Sequence, residues 1–256
     1  MFIKLFNEHV LTFLKTIETE SIDLIYTDPP YGLTLTDSMF DSLSFEYPRT
    51  IQEANDLYKK YIVEFERVLK PNSDCYILLN YENYPYWFAY TKNLCKDLIV
   101  KNCIVWYRTS CGSQIRMIGG KNIESKTNNY QSSHVFIMYL KKGNRYLNDC
   151  AVVENFIDFR QLNDAFLERM KSKPKYVGGR ELKSVYPMRV PEEVIEPFII
   201  NSSNEGDVVL DPFMGQGSVG KVCLRLNRSY LGNDINIKAY DLARKYFEGT
   251  HHDRYE

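Results

Sequence analysis

Two stretches of this sequence carry side chains whose types and spacing suit chemistry. The first is Thr27-Asp28-Pro29-Pro30-Tyr31-Gly32, which follows the apolar run Ile22-Asp23-Leu24-Ile25-Tyr26. Each proline fixes φ and removes a backbone N–H, so the loop is stiff and rich in bare carbonyls. A carboxylate, a bare carbonyl and a flat ring on such a loop suit a planar amine. They give two acceptors for an NH2 group and a face to stack on it. The plain alternative is a proline turn capped by aspartate.

The second stretch is Gly215-Gln216-Gly217-Ser218-Val219-Gly220, preceded by Asp211-Pro212-Phe213-Met214. Its spacing matches G-x-G-x-x-G, and Asp234 follows near the ~20-residue distance of an acidic residue that holds ribose hydroxyls. Glycines there let the backbone approach a ligand closely. A dinucleotide domain is one reading, but it needs several more βα units after its first strand. One strand and one helix remain after Gly220. The other reading is a sheet completed by the N-terminal half, with a nucleoside-bearing ligand on the glycine loop facing the amine site on the proline loop. A third stretch is basic: Arg169, Lys171, Lys173, Lys175, Arg180 and Lys183, interleaved with Tyr176, Gly178, Gly179 and Tyr186. It suits a phosphate backbone, or is a solvated face.

The elements that must position these residues follow from periodicity. Ile22 to Tyr26 reads as a buried parallel strand, and ligands bind at the carboxyl ends of such strands. Further strands are expected at Phe2–Phe6, Cys75–Leu79, Cys103–Tyr107, His134–Leu140 and Val208–Leu210, and another ending at Asp234. Helices are expected at His9–Ile17, Ile51–Leu69 with Pro71 as its stop, Pro85–Leu98, Pro191–Ile200, Ser218–Leu226 and Ala239–Phe247. A further helix is expected at Ile157–Met170. Leu33–Pro48 and Thr109–Ser133 lack a period and read as loops, and His134 reads as a structural histidine. Strand and helix alternate over most of the length, which implies a mostly parallel sheet covered on both faces.

Composition narrows the class. A chain of 256 residues buries one substantial core. With 25% charged residues and a net charge of −1 it is neither a polybasic tail nor an acidic disordered chain. Nucleic acid is not excluded, because binding depends on a local basic patch. Cys75, Cys95, Cys103, Cys111, Cys150 and Cys223 form no CxxC pair and have no histidine at zinc spacing. They read as reduced thiols of a cytoplasmic compartment, with no metal. No signal peptide or membrane-length apolar run is visible.

In this order the two main stretches resemble the S-adenosylmethionine-dependent amino-methyltransferases of DNA, in the permuted arrangement called the beta class. Asp28-Pro29-Pro30-Tyr31 resembles that family's Asp-Pro-Pro-Tyr catalytic motif. Asp211-Pro212-Phe213-Met214-Gly215-Gln216-Gly217 is similar to its Asp-Pro-Phe-x-Gly-x-Gly cofactor loop. Arg67-Val68-Leu69-Lys70-Pro71, Val105-Trp106-Tyr107-Arg108 and Tyr186-Pro187 through Pro191 are similar to lesser motifs. The chain departs from the family at Glu8-His9, where Gly-Asp is common, and at Val190, where Lys is often seen.

The resemblance implies a Rossmann-like, seven-stranded, mostly parallel α/β methyltransferase sheet in circularly permuted order. It implies one catalytic domain over residues 1–256, with an inserted target-recognition segment at 143–187. It implies a catalytic set of Asp28, Pro29, Pro30 and Tyr31. Asp211, Pro212, Phe213, Gly215, Gln216, Gly217 and Asp234 would hold S-adenosylmethionine. Lys171, Lys173, Lys175, Arg180 and Lys183 would meet DNA. The expected reaction is methyl transfer to adenine N6 in double-stranded DNA after base flipping. Cytosine N4 and a catalytically silent DNA-binding subunit are the alternatives. A homodimer and a cognate restriction nuclease are the partners it suggests.

Overall fold

A computed structural model describes residues 1–32, 48–107, 134–148, 156–158 and 190–252. The chain starts with β1 (Ile3–Phe6), α1 (Val10–Lys15), β2 (Ile22–Thr27), α2 (Ile51–Val68), β3 (Leu69–Leu79), α3 (Tyr84–Leu94) and β4 (Leu98–Tyr107). It continues with β5 (His134–Lys142), β6 (Phe156–Asp158), α4 (Glu192–Ser202), β7 (Val208–Asp211), α5 (Ser218–Arg225), β8 (Ser229–Asn233) and α6 (Ile237–His252). The strands form one sheet in the order β1-β8-β7-β2-β3-β5-β4-β6. Among the described residues, only β5 runs against its neighbours β3 and β4. The seven expected strands are therefore present, mostly parallel.

The sheet gains a short eighth strand, because Phe156–Asp158 pairs in parallel with Val105–Tyr107 at the edge. The helix expected from Ile157 therefore does not start there: an open sheet edge offers those residues ladder bonds that override the local pattern. The remainder of that expected helix, residues 159–170, lies outside the described residues. So do the two expected loops, apart from Pro48 at the end of the first, and Arg108.

The end of α2 also differs from expectation. The helix stops at Leu69, which is already extended, and Pro71 lies within the irregular start of β3. There Asn72 takes φ +61, and the β2–β3 register shifts between the pairs Ile22↔Leu69 and Leu24↔Asp74. Arg67, on the last turn of α2, donates to the carbonyls of Ile17 and Leu14 at 2.9 and 2.8 Å. It thereby ties the last turn of α2 to the end of α1 and its following turn.

Side chains of successive strand residues point to opposite faces, so two cores form. On one face α1, α2 and α3 cover Ile25, Cys75, Ile77 and Leu210. On the other, α4, α5 and α6 cover Leu24, Tyr26, Tyr76, Val209 and Tyr230. The first core is held by a polar stitch as well. Trp87 is fully buried, stacks on Tyr58 at 4.3 Å between centroids, and donates its indole N–H to Asn55 Oδ1 at 2.8 Å. At the other end of the sheet, Asn148 donates to the carbonyls of Ile200 and Ser203, so the start of the 143–187 segment is tied to α4. No helix among the described residues is long and apolar enough to cross a membrane.

Trp87→Ala should destabilise the chain by about 3–5 kcal/mol, because it opens a large cavity and strips Asn55 of a donor. Denaturant unfolding at constant m-value is the measurement; a loss under ~1 kcal/mol would mean that α3 is not fixed by this side chain.

Candidate functional site

The strand order reverses at the β2–β7 boundary. From β7 the chain winds outward through β8, and from β2 it winds the other way to β3. In open α/β sheets this switch point leaves a crevice at the carboxyl ends of the strands. Asp28-Pro29-Pro30-Tyr31 leaves the end of β2, and Asp211-Pro212-Phe213 leaves the end of β7. The two stretches singled out in the sequence, far apart in the chain, thus meet.

A buried hydrogen bond joins them directly. Thr27 Oγ1 donates to Asp211 Oδ1 at 2.7 Å, and the Phe213 N–H donates to the same oxygen at 3.2 Å. The carboxylate of Asp211 therefore fixes both the end of β2 and the turn after β7. Pro29 is buried, while Asp28, Pro30 and Tyr31 are half-buried. Tyr31 packs against both cores at the mouth of the switch point. Gly32 closes this loop with φ +73, and a Cβ there would lie 2.0 Å from the Thr50 carbonyl oxygen. Only glycine fits where the loop passes the N-cap of α2.

The glycine loop is equally constrained. Gly217 is the N-cap of α5 at φ +78, and a Cβ on it would press to 3.0 Å from the Phe247 ring. Gly215 and Gln216 are half-buried at the turn. Phe213 reaches across to α2, its ring 5.4 Å from that of Tyr61. Pro212 is buried, and its carbonyl accepts from Asn233 Nδ2 at 3.3 Å. Asp234 is held by the turn itself: Oδ2 accepts from Gly215 N at 2.9 Å and Oδ1 from Asn236 N at 2.8 Å. These bonds orient the carboxylate at the turn.

Thr27 and Asn233 are site residues that the sequence reading left without a role. Asn233 Oδ1 accepts from Glu8 N, and its Nδ2 donates to Glu8 O, both at 3.1 Å. This locks the end of β1 to the cofactor-type loop. The signal available was position alone: each directly precedes an aspartate at a strand end. His9, one of the departures from the family pattern, caps α1 by accepting from Leu11 N at 3.3 Å. Val190 packs against the core beneath α4. Lys171, Lys173, Lys175, Arg180 and Lys183 lie outside the described residues. Among the described residues there is no group of three or more metal-ligating side chains.

Three carboxylates, Asp28, Asp211 and Asp234, sit at the ends of three adjacent strands. Burial pushes the Asp211 carboxyl up to about 7. Hydrogen bonds from Thr27 and Phe213 oppose that rise, while repulsion from Asp234 and Asp28 adds to it. Burial raises the Tyr26 hydroxyl too, and Asp28 and Asp211 raise it further. The crevice thus favours positive charge.

The raised Asp211 sets a sign for stability. A carboxyl that holds its proton more tightly when folded stabilises the fold fully below its unfolded value, about 3.9. That contribution is lost as pH rises through about 7. Asp211→Asn keeps the acceptor for Thr27 and Phe213 and removes the titration. Its melting temperature should fall less than wild type between pH 4 and 7, with a relative gain of up to ~4 kcal/mol at pH 8. Parallel melting curves across that range would show that Asp211 is ionised at no cost.

Residues 22–245 match the family described as DNA methylase, N6_N4_Mtase. The chain is 31% identical to the Type II methyltransferase M.HpaI of Haemophilus parainfluenzae, over 94% of this chain and 73% of that protein. It is 29% identical to the DNA adenine methyltransferase YhdJ of Escherichia coli (strain K12), over 94% of this chain and 81% of the other. In three dimensions it is similar to the PvuII DNA methyltransferase (cytosine-N4-specific), with a TM-score of 0.71 at 16% identity, covering 96% and 86% of the two chains. The switch-point site and the span of the match lead to one conclusion: the chain belongs to the N6/N4 DNA methylase family and is an S-adenosylmethionine-dependent DNA methyltransferase.

Proposed function

We propose that this chain transfers a methyl group to the exocyclic N6 of adenine in double-stranded DNA, on a base flipped out of the helix. The observation that carries this reading is the Thr27–Asp211 hydrogen bond, which holds the proline loop against the glycine loop at one switch point. Asp28 at the head of the proline motif resembles the adenine members, and YhdJ bears an adenine-specific name.

An aromatic amine is a weak nucleophile because its lone pair is delocalised into the ring. Asp28 and the Pro29 carbonyl accept its two N–H bonds and localise that pair on nitrogen. Tyr31, half-buried at the mouth, offers a face on which the flipped base stacks. S-adenosylmethionine supplies an electrophilic methyl on a cationic sulfonium with its own leaving group. The residues present fit it. Asp211, Asp28 and Asp234 favour a cation, Gly215-Gln216-Gly217 brings backbone close, and the Asp234 carboxylate is the acceptor proposed for ribose hydroxyls. Pro212 and Phe213 hold the turn in place. The methylated nitrogen then sheds a proton, for which Asp28 is the carboxylate at hand. Catalysis here is positioning and electrostatic preorganisation.

Residues 143–187 are the proposed target-recognition segment, with Lys171, Lys173, Lys175, Arg180 and Lys183 on phosphates. A homodimer and a cognate restriction nuclease are the proposed partners, on the family resemblance. The cytoplasm is the proposed location, since DNA is the substrate. A second reading is cytosine N4, which presents the same NH2 group; the likeness to the PvuII enzyme favours it.

Sequencing modified bases in DNA from cells expressing the chain separates the two. N6-methyladenine at one recurrent sequence is expected, and N4-methylcytosine instead would overturn the adenine assignment. Asp28→Asn turns one acceptor into a donor facing the substrate amine. Single-turnover transfer should drop by at least ~10²-fold with cofactor binding kept. A near-normal rate would remove Asp28 from the mechanism.

A further inference from the structure

The carboxyl end of β3 holds a side chain that none of the chemistry above uses. Asn80 directly follows Leu79, the last residue of β3. Its Oδ1 accepts from Asn83 N at 2.8 Å, and its backbone carbonyl accepts from Tyr84 N at 3.3 Å, so it begins the turn into α3. Because Asn83 N is a donor, the atom it meets is the amide oxygen, and the remaining terminal atom of Asn80 is the nitrogen. That nitrogen, Nδ2, is buried and has no hydrogen-bond partner among the described residues.

Its neighbour shows the same pattern with the opposite sign. Asn83 is fully buried and donates through Nδ2 to Asn55 Oδ1 at 3.1 Å, the oxygen that also accepts from Trp87. Its own Oδ1 is left without a partner among the described residues. The Asn55–Trp87–Asn83 arrangement therefore holds the turn rigidly from below while Asn80 keeps a donor in reserve. Buried donors in folded proteins are nearly always satisfied, so each exception needs a reason.

Position supplies one. The β2–β3 register pairs Thr27 with Ile77. Asn80 and Pro30 each lie three residues beyond that pair, leaving the carboxyl ends of the neighbouring strands β3 and β2. A donor thus flanks the loop whose carboxylate and carbonyl are acceptors. Adenine carries a ring nitrogen with a free lone pair, N1, next to its amine. An acceptor pair with a donor at its side complements that edge.

We propose that Asn80 Nδ2 donates to the ring nitrogen beside the methylated amine, N1 of the flipped adenine, and so positions the base and helps to select it. The proposal rests on the adenine reading above. Bases with an N–H at that ring position, such as hypoxanthine, guanine or thymine, would meet donor with donor.

The test is a two-by-two comparison on a duplex carrying the methylation site mapped in cells, with adenine or 1-deazaadenine at the target. The deaza base has C–H in place of N1. Asn80→Asp keeps the oxygen that accepts from Asn83 N and replaces the donor with an acceptor; Asn80→Ser, whose shorter hydroxyl does not reach the place of Nδ2, is the second variant should a buried charge harm the fold. For the wild type, 1-deazaadenine should lower kcat/KM by about tenfold, the scale of one hydrogen bond. Each variant should lose at least about tenfold on adenine, with little further loss on the deaza base. The analogue's own reactivity cancels in the cycle. An equal deaza penalty in wild type and variants, or variants at wild-type rate on adenine, would overturn the role of Asn80. A wild-type chain that methylates no adenine in the mapped duplex would instead bring down the adenine reading, and this proposal with it.

Discussion

The arrangement depends on one buried carboxylate accepting one hydroxyl. Asp211 sits at the centre of the sheet, and Thr27 and the Phe213 amide supply polar contacts in place of bulk water. Removing a charge from water is expensive unless hydrogen bonds compensate. The bond therefore does two things at once. It makes a buried acid tolerable, and it fixes the register between two loops that no covalent link joins. The neighbouring strands β2 and β7 pair through only Leu24↔Val209 and Ile25↔Leu210. At the active end the side-chain bond continues what this short ladder begins.

Around that bond the site is built from backbone that has few alternatives. Prolines stiffen one loop, left-handed glycines shape the other, and Asp234 and Asn233 fasten the glycine turn to β1 and β8. The accumulated negative charge is unfavourable for the protein alone and favourable for a cationic ligand. Stability and function pull in opposite directions here, as is common where a binding site is preorganised.

Much of this was legible in the sequence. The Asp-Pro-Pro-Tyr and Gly-x-Gly stretches declare themselves by residue type, and buried parallel strands declare themselves as short apolar runs. The pairing of the two stretches could be argued from topology, since too few elements follow Gly220 to complete a sheet alone. What was not legible depends on distance through space. Thr27 looks like any strand residue until Asp211 stands opposite it. Asn233 looks like a neighbour of an acid until Glu8 reaches it from β1. The start of β3 was misplaced because Pro71 signals a helix stop, while the ladder to β2 begins at Leu69 in spite of it. Phe156–Asp158 took the edge of the sheet because pairing with β4 outweighs a local helical pattern.

The pairing of β1 with β8 has a consequence for how the chain acquires its shape. Phe2 and Ser229 are hydrogen-bonded across 227 positions of sequence, and β2 receives β7 across a similar span. During synthesis the first half emerges with α1, α2 and α3 able to cover one face of β2 and β3. The opposite face and the β7-side edge of β2 stay uncovered until the last quarter of the chain is made. Contacts this distant in sequence form late and slowly, and an exposed strand edge in the interval invites pairing with another chain. The permuted order therefore makes the ligand-binding half the closing piece of folding. A partly made chain carries the Asp28 loop without the Thr27–Asp211 bond that sets it against the glycine loop.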